Sequence, residues 1–298
     1  MKLAIFAAVS HMCIVLNMAT MTPNEIEQFR LFLERTSVLE NIPINPSELD
    51  DAWENSGKFE GDIILDDTQI RDIVAIVGGT ARAGVQNLVS LWPNKEVLFV
   101  IEEDHFNEHQ IKAINYAMDE IERVSCLNFR KVAKDSTEDA VVIKGNMKGC
   151  FAFVGFRKKR QIINLSNKNE VGKGCFRFGS IIHEMLHTIG FYHTHARSDR
   201  DNYIDIKWEN IKEKKVYNFR KYVSPSSIEL KSGYDYNSCM HYGRKAFSKT
   251  GEDTIVPKEA NAVIGQREGL SQGDIDKINL LYCHKLKENK NGETMPQI

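Results

Sequence analysis

One stretch constrains this chain more than any other: HEMLHTIGFYHTHARSDRD, residues 183–201, with four histidines inside thirteen positions and a glutamate beside the first. His183 and His187 are four residues apart. On a helix that spacing puts both imidazoles on one face, a turn apart, able to hold one ion. Zinc suits imidazole nitrogen. Glu184, next to the first histidine, is placed to take a proton from a water on the metal. Leu186 and Ile189 can bury the other side of the helix. HExxH alone arises by chance in many helices, but the continuation sharpens it. Gly190 allows a sharp turn out of the helix, and His193 follows where the turned chain can return to the ion. The pattern HExxHxxGxxH therefore selects His183, His187 and His193 as metal ligands, Glu184 as general base, and leaves His195 out. Three neutral histidines leave zinc an open position for water, as a catalytic site requires. His105 and His109 lack such a constellation and read as ordinary helix-start histidines.

The rest of the chain sets the context. Apolar residues make up 42% and charged residues 27% of 298, an ordinary globular balance, and a formal net charge of −2 gives no pointer to nucleic acid. The charge is uneven: residues 21–82 hold 13 acidic and 5 basic residues, and the remainder is mildly basic. Such a block can lie on the domain that follows it or be a solvated linker. Residues 1–20, MKLAIFAAVSHMCIVLNMAT, place one lysine before an apolar run and end in small residues, a secretory signal pattern. The run falls short of the roughly 20 apolar residues of a membrane span, and no later stretch could span. The expected product is a secreted, extracellular protein without a membrane anchor. Six cysteines fit that compartment; Cys13 leaves with the signal, and an odd five remain.

No internal repeat or low-complexity tract is present. Residues 24–40 predict a helix with an apolar stripe of Ile26, Phe29, Leu33 and Leu39. NIPINPSELDD (41–51) reads as loop. Residues 96–103, NFRKVA, DAVVIKG and RQIINLS read as strands, and 107–125 as an amphipathic helix through Ile111, Ile114, Met118, Ile121 and Val124. Ser271 and Asp274 open a last helix over 272–282 with a capping-box-like pair. The order of elements is α+β, not doubly wound.

At this point longer motifs bear on the reading. HEMLHTIGFYHTHARSDRDNY is followed, 47 residues after His193, by Met240 in SCMHY. LWPNKEV (91–97), CLNF (126–129), GCFAFVG (149–155), YDYNSCMHYGRKAFS (234–248) and IGQREGLSQGDIDKINLLYC (264–283) accompany it in order. Together they resemble an astacin-type metzincin metalloendopeptidase over almost the whole chain after the signal. The resemblance implies a two-lobed α+β metzincin (zincin-like) catalytic domain at 83–284 and one zinc ion per subunit at the floor of a cleft; the residues at 285–298 themselves read as a short polar tail. It implies that Met240 lies in the turn beneath the metal as packing. It implies that Tyr242 is a further zinc ligand at rest that swings to the oxyanion. It implies disulfides Cys126–Cys283 and Cys150–Cys175, with Cys239 left as a free thiol. FEGDI (59–63) resembles the family's FxGD aspartate switch, so Asp62 would occupy the water's place on zinc and keep a zymogen inert. The propeptide is then 21–82, cut by an activating protease after Arg82 to give a mature start at Ala83. Where the family has a glutamate after the third histidine, engaging the new N-terminus, this chain has Thr194, which offers no charge. The strand EVLFVI lacks the proline and tyrosine often seen there. Every metal and base position is intact.

The leading expectation is a secreted zinc metalloendopeptidase, monomeric, acting on protein or peptide substrates and binding neither nucleic acid nor membrane. The alternative is a secreted non-catalytic binding protein on the same scaffold; the presence of Glu184 favours the enzyme. A structural zinc site would be closed by four protein ligands rich in cysteine. Asn164-Leu165-Ser166 matches a glycosylation sequon but falls in an expected strand.

Overall fold

The structure, a computed structural model, describes residues 21–39, 54, 56–78, 89–222, 231–283, 286–288 and 294–296. The signal-like run 1–20, the stretch 41–51, the expected cleavage point Arg82–Ala83 and most of the tail lie outside the described residues.

A six-stranded sheet organises the molecule. Its strands are β1 (Ile63–Ile64), β2 (Glu96–Ile101), β3 (Asn128–Lys131), β4 (Val141–Lys144), β5 (Cys150–Phe153) and β6 (Gln161–Leu165), in the spatial order β1-β5-β6-β4-β2-β3. All neighbours run parallel except β5 and β6. The helix α3 (Glu108–Val124) begins at Asn107, whose side chain accepts from Gln110 N–H while the Gln110 side chain accepts from Asn107 N–H. Ile114, Ala117, Met118 and Ile121 recur at helical spacing and bury one face of α3. Sharing that core is α4 (Phe178–Thr188), in which every residue from Gly179 to Thr188 is buried. A helix buried on all sides has no solvated face, so its polar groups must find partners inside the protein.

After α4 the chain is mostly irregular, with one small antiparallel pair, β7 (Ile204–Ile206) and β8 (Ile255–Pro257). Phe219, Tyr242, Phe247 and Ile255 form the core of this second lobe. The last long helix, α5 (Gln272–Tyr282), starts at Ser271 with the reciprocal Ser271–Asp274 cap. β9 (Leu286–Glu288) and β10 (Thr294–Pro296) pair antiparallel beyond it.

Two disulfides hold this body. Cys126–Cys283 ties the end of α3 to the end of α5, and Cys150–Cys175 ties β5 to the turn before α4. Cys239 is a free, buried thiol that donates to Gly179 O at 3.0 Å, and burial pushes it up to about 12. Asn164, the sequon residue, is fully buried in β6, and its Nδ2 donates to Met147 O at 3.0 Å and Gly149 O at 2.6 Å. That nitrogen is where a glycan would attach, so the folded chain has no room for one there.

The acidic N-terminal segment is docked on the body. α1 (Pro23–Thr36) is capped by Thr22 and buries Phe29, Phe32 and Leu33. The expected stripe is shifted: Phe32 joins it, while Leu39 lies past the helix end and is 44% exposed. A second helix not foreseen in the sequence, α2 (Asp67–Val77), is capped by Asp66 and buries Ile70, Ile73 and Ile76. Between them, β1 extends the sheet, with Ile63 opposite Ala152 and Ile64 opposite Phe153. The Asp66 carboxylate accepts from Arg157 Nε at 2.8 Å, an ion pair joining segment to body.

Candidate metal centre

The helix α4 presents His183 and His187 one turn apart, as the four-residue spacing requires. At its end Gly190 takes φ +112°, and its N–H returns to His187 O at 2.8 Å. A Cβ there would meet Val89 Cγ1 at 2.6 Å, so only glycine fits both the conformation and the space. The reversal brings His193 back to the other two.

Asp62 stands with His183, His187 and His193, all four fully enclosed, with one ligand atom from each within 4.8 Å of the others. Among the described residues no other group of three or more histidine, cysteine or carboxylate side chains is so placed. Asp62 Oδ2 lies 3.0 Å from His183 Nε2, and Oδ1 lies 3.4 Å from His187 Nε2 and 3.2 Å from His193 Nε2. His195 is not in this group; it stacks on Tyr242 at 3.6 Å and bonds Asn218 O through Nε2 at 2.8 Å.

The far nitrogens explain the orientation. His183 Nδ1 pairs with Cys239 O at 2.8 Å, His187 Nδ1 with Phe191 O at 2.7 Å, and His193 Nδ1 with Glu60 Oε2 at 2.7 Å. Each acceptor receives a hydrogen bond from Nδ1–H and so keeps the proton on Nδ1, which leaves the three Nε2 lone pairs aimed at one point. Asp62 Oδ1 and His187 Nε2 are buried without a hydrogen-bond partner. Unpaired buried polar atoms facing one another are what a cation between them would satisfy. The donor set of imidazoles and a carboxylate fits zinc.

The electrostatics agree. Burial, then the charge of Arg267, pushes His183 down to about 3, and burial lowers His187. Burial also works against a charge on His193, but Asp62 and Glu60 outweigh it and raise His193 to about 9. The two carboxylates thus favour a positive centre at that ring, and a metal ion supplies it as a proton would. Burial opposes the charge on Asp62, yet His193, His187 and His183 hold it well below the usual carboxylate range. Glu184 is buried on α4; burial, then the charge of Asp62, raises it well above the ordinary value, and its Oε2 has no partner.

Three features were not legible in the sequence. Glu60, one residue before the glycine of FEGD, accepts from Tyr222 OH at 2.8 Å as well as from His193, and its N–H donates to Asn218 Oδ1 at 3.1 Å. Its carbonyl accepts from Tyr242 OH. The turn that carries it uses φ +46° at Glu60 and φ +89° at Gly61. The second feature is the pair of backbone acceptors, Cys239 O and Phe191 O, which carry no side-chain signal. The third is a hydroxyl chain at Thr194: its Oγ1 donates to Ser238 Oγ at 3.1 Å, and Ser238 donates to Asp274 at 2.6 Å. Met240 is buried beside these residues, and its carbonyl accepts from Thr194 N–H at 3.0 Å. Segment 238–241 therefore touches both the first histidine and the residue after the third.

A buried three-histidine centre, with a glutamate on the ligand-bearing helix and a mixed α+β sheet beside it, defines a metal-dependent peptidase of the zincin class. The chain belongs to the astacin family: the Astacin (Peptidase family M12A) profile matches residues 84–283. It is 40% identical to Seminal metalloprotease 1 of Drosophila melanogaster over 204 residues, covering 67% of this chain and 81% of that protein. It is 34% identical to Zinc metalloproteinase nas-15 of Caenorhabditis elegans over 246 residues, covering 78% of this chain and 42% of that one. Against several such nematode relatives the chain spans about half their length. Among solved structures, High choriolytic enzyme 1, a hatching enzyme zinc-protease from Oryzias latipes, aligns with a TM-score of 0.57 and 34% identity over 65% of this chain and 93% of its own. The chain thus carries a zinc metalloproteinase domain with a metzincin-type fold.

Proposed function

We propose that this chain is a secreted zinc metalloendopeptidase made as a latent precursor. Residues 1–20 direct secretion, 21–82 form the propeptide, 83–284 the catalytic domain and 285–298 a polar tail. An activating protease cuts after Arg82 and frees Ala83. His183, His187 and His193 hold the zinc through Nε2, and Asp62 is the fourth ligand of the latent form. The observation that carries this reading is Asp62, from the N-terminal segment, lying within 3.4 Å of all three ligand nitrogens.

Zinc bound there supplies Lewis acidity, lowering the pKa of a water and stabilising charge on the substrate oxygen. The chain's own residues do the rest. Removal of Asp62 opens the position it fills and takes away a charge that, after burial, helps to raise Glu184. Glu184 then accepts the proton of the attacking water and passes it to the leaving amine. Tyr242 is held on the Glu60 carbonyl in the latent form. When Glu60 leaves, the phenol is released to donate to the oxyanion. Met240 packs beneath the histidines and is not a ligand. The two disulfides accord with an extracellular setting.

The test is hydrolysis of a quenched peptide library by chain activated at Arg82, beside its Glu184→Ala variant, with and without a chelator. Cleavage lost under both changes supports the reading. No cleavage by folded, zinc-loaded protein would leave the alternative, a secreted binding protein on an astacin scaffold.

A further inference from the structure

The docked N-terminal segment covers an aromatic surface that catalysis does not use. Phe29 of α1 is 1% exposed, with its ring centroid 5.3 Å from Tyr217. The Arg220 guanidinium carbon lies 5.4 Å over Phe29 and 5.4 Å over Tyr217. Phe32 meets the same tyrosine at 5.1 Å. Phe29 therefore fills a box with a phenol ring on one side and a cation on another, a setting that favours an aromatic ring over an aliphatic chain.

Arg220 itself is oddly provided for. Its Nε is buried without a hydrogen-bond partner, and its guanidinium forms no ion pair among the described residues. A half-buried cation served by two rings, one of them Phe29, and by the charge of Glu25 on the same segment loses Phe29 and Glu25 together, and gains from a ring laid against it. The surface is also continuous with the metal centre. Tyr222 N–H donates to Ala196 O at 2.8 Å, and Tyr222 OH shares the Glu60 carboxylate with His193. Phe29, Phe32 and Glu60 belong to one segment and leave together, which opens Tyr217, Arg220 and Tyr222 to the cleft at once. An apolar face of this kind beside an active centre needs an occupant.

We propose that Tyr217 and Arg220, backed by Tyr222, form a selectivity shelf of the activated enzyme that receives an aromatic side chain of the protein substrate a few residues from the scissile bond. Phe29 holds that place in the latent chain. This rests on the proposed peptidase function and adds to it a substrate class.

The experiment uses the activated chain and a peptide series of fixed scissile site, with Phe, Leu, Ala and Asp placed in turn at each flanking position. At one position remote from the bond, Phe should exceed Ala in kcat/KM by about 3- to 10-fold, mainly through KM. Tyr217→Ala and Arg220→Ala should each bring that ratio towards one, and Tyr217→Phe should keep it. Melting temperatures check that each variant is folded. Kd of the Phe and Ala peptides for the Glu184→Ala protein, with and without Tyr217→Ala, reads the shelf without turnover. If nothing is cleaved, the peptidase reading fails, while the Kd ratio still judges the shelf. A flat positional profile, a ratio that survives both alanine variants, or self-association of the activated chain through this face would overturn the proposal.

Discussion

The body of the molecule and its N-terminal segment are held by different physics. The body is cross-linked twice, and α3 and α4 share with the sheet one mixed core of aliphatic and aromatic side chains. The segment has no disulfide to the body. Its described residues contribute a two-residue strand, a cluster of aromatic and aliphatic contacts, the Asp66–Arg157 ion pair and two carboxylates set around His193. Each of those links is reversible, and the two carboxylates end on the metal centre. Under the proposed function, the difference separates a part that persists from a part that is removed. Asp62 and Glu60 grip the third histidine from opposite sides of one ring.

That contrast can be broken most severely at Asp62. Removing one member of a buried charged cluster costs about 3–5 kcal/mol, so Asp62→Ala should disfavour the closed state by about 100-fold or more. The intact variant chain should cleave a quenched peptide where the intact wild type does not. Equal silence in both would mean that the segment blocks the cleft by bulk alone.

The persistence of the body should depend on its cross-links. Replacing Cys126 and Cys283 by serine opens a loop of 157 residues and should lower stability by about 5 kcal/mol; the 25-residue loop of Cys150–Cys175 should account for about 3 kcal/mol. Denaturant unfolding of the isolated variants measures both. The segment should respond far less, since no disulfide crosses to it.

The smallest effect concerns the Asp66–Arg157 pair. Burial tends to raise Asp66, but the Gln69 N–H and Arg157 lower it overall. A carboxylate depressed in the docked state stabilises docking above its free value near 3.9, and that contribution is lost as pH falls through the lower, docked value. The group is only partly buried, so Asp66→Asn should weaken docking by about 1 kcal/mol at neutral pH. The gap from wild type should close in strong acid. Hydrogen exchange of α2 amides across that range reports it.

Much of the centre was legible because its chemistry needs side chains at fixed spacing. The i, i+4 histidines, Glu184, Gly190 and His193 are dictated by one helix and one turn. The caps of α3 and α5 were equally plain, being local pairs three residues apart. What the sequence hid is non-local or carried by backbone. Glu60 looks like any acidic loop residue until a left-handed turn aims it at His193. Cys239 O and Phe191 O leave no compositional trace. The α2 helix was masked by the acidity around it, although Asp66 and Gln69 form a proper cap and Ile70, Ile73 and Ile76 an apolar face. Asn164 misled in the other direction, because a sequon reports three residues and not their burial.

The most direct measurement of the central claim is zinc K-edge absorption spectroscopy on the intact, unprocessed chain, alongside its Asp62→Ala variant. The account predicts one zinc per chain with three imidazole nitrogens and one carboxylate oxygen at about 2.0–2.2 Å, the carboxylate being replaced by solvent in the variant. A sulfur ligand, fewer than three imidazoles, or an unchanged spectrum in Asp62→Ala would contradict it.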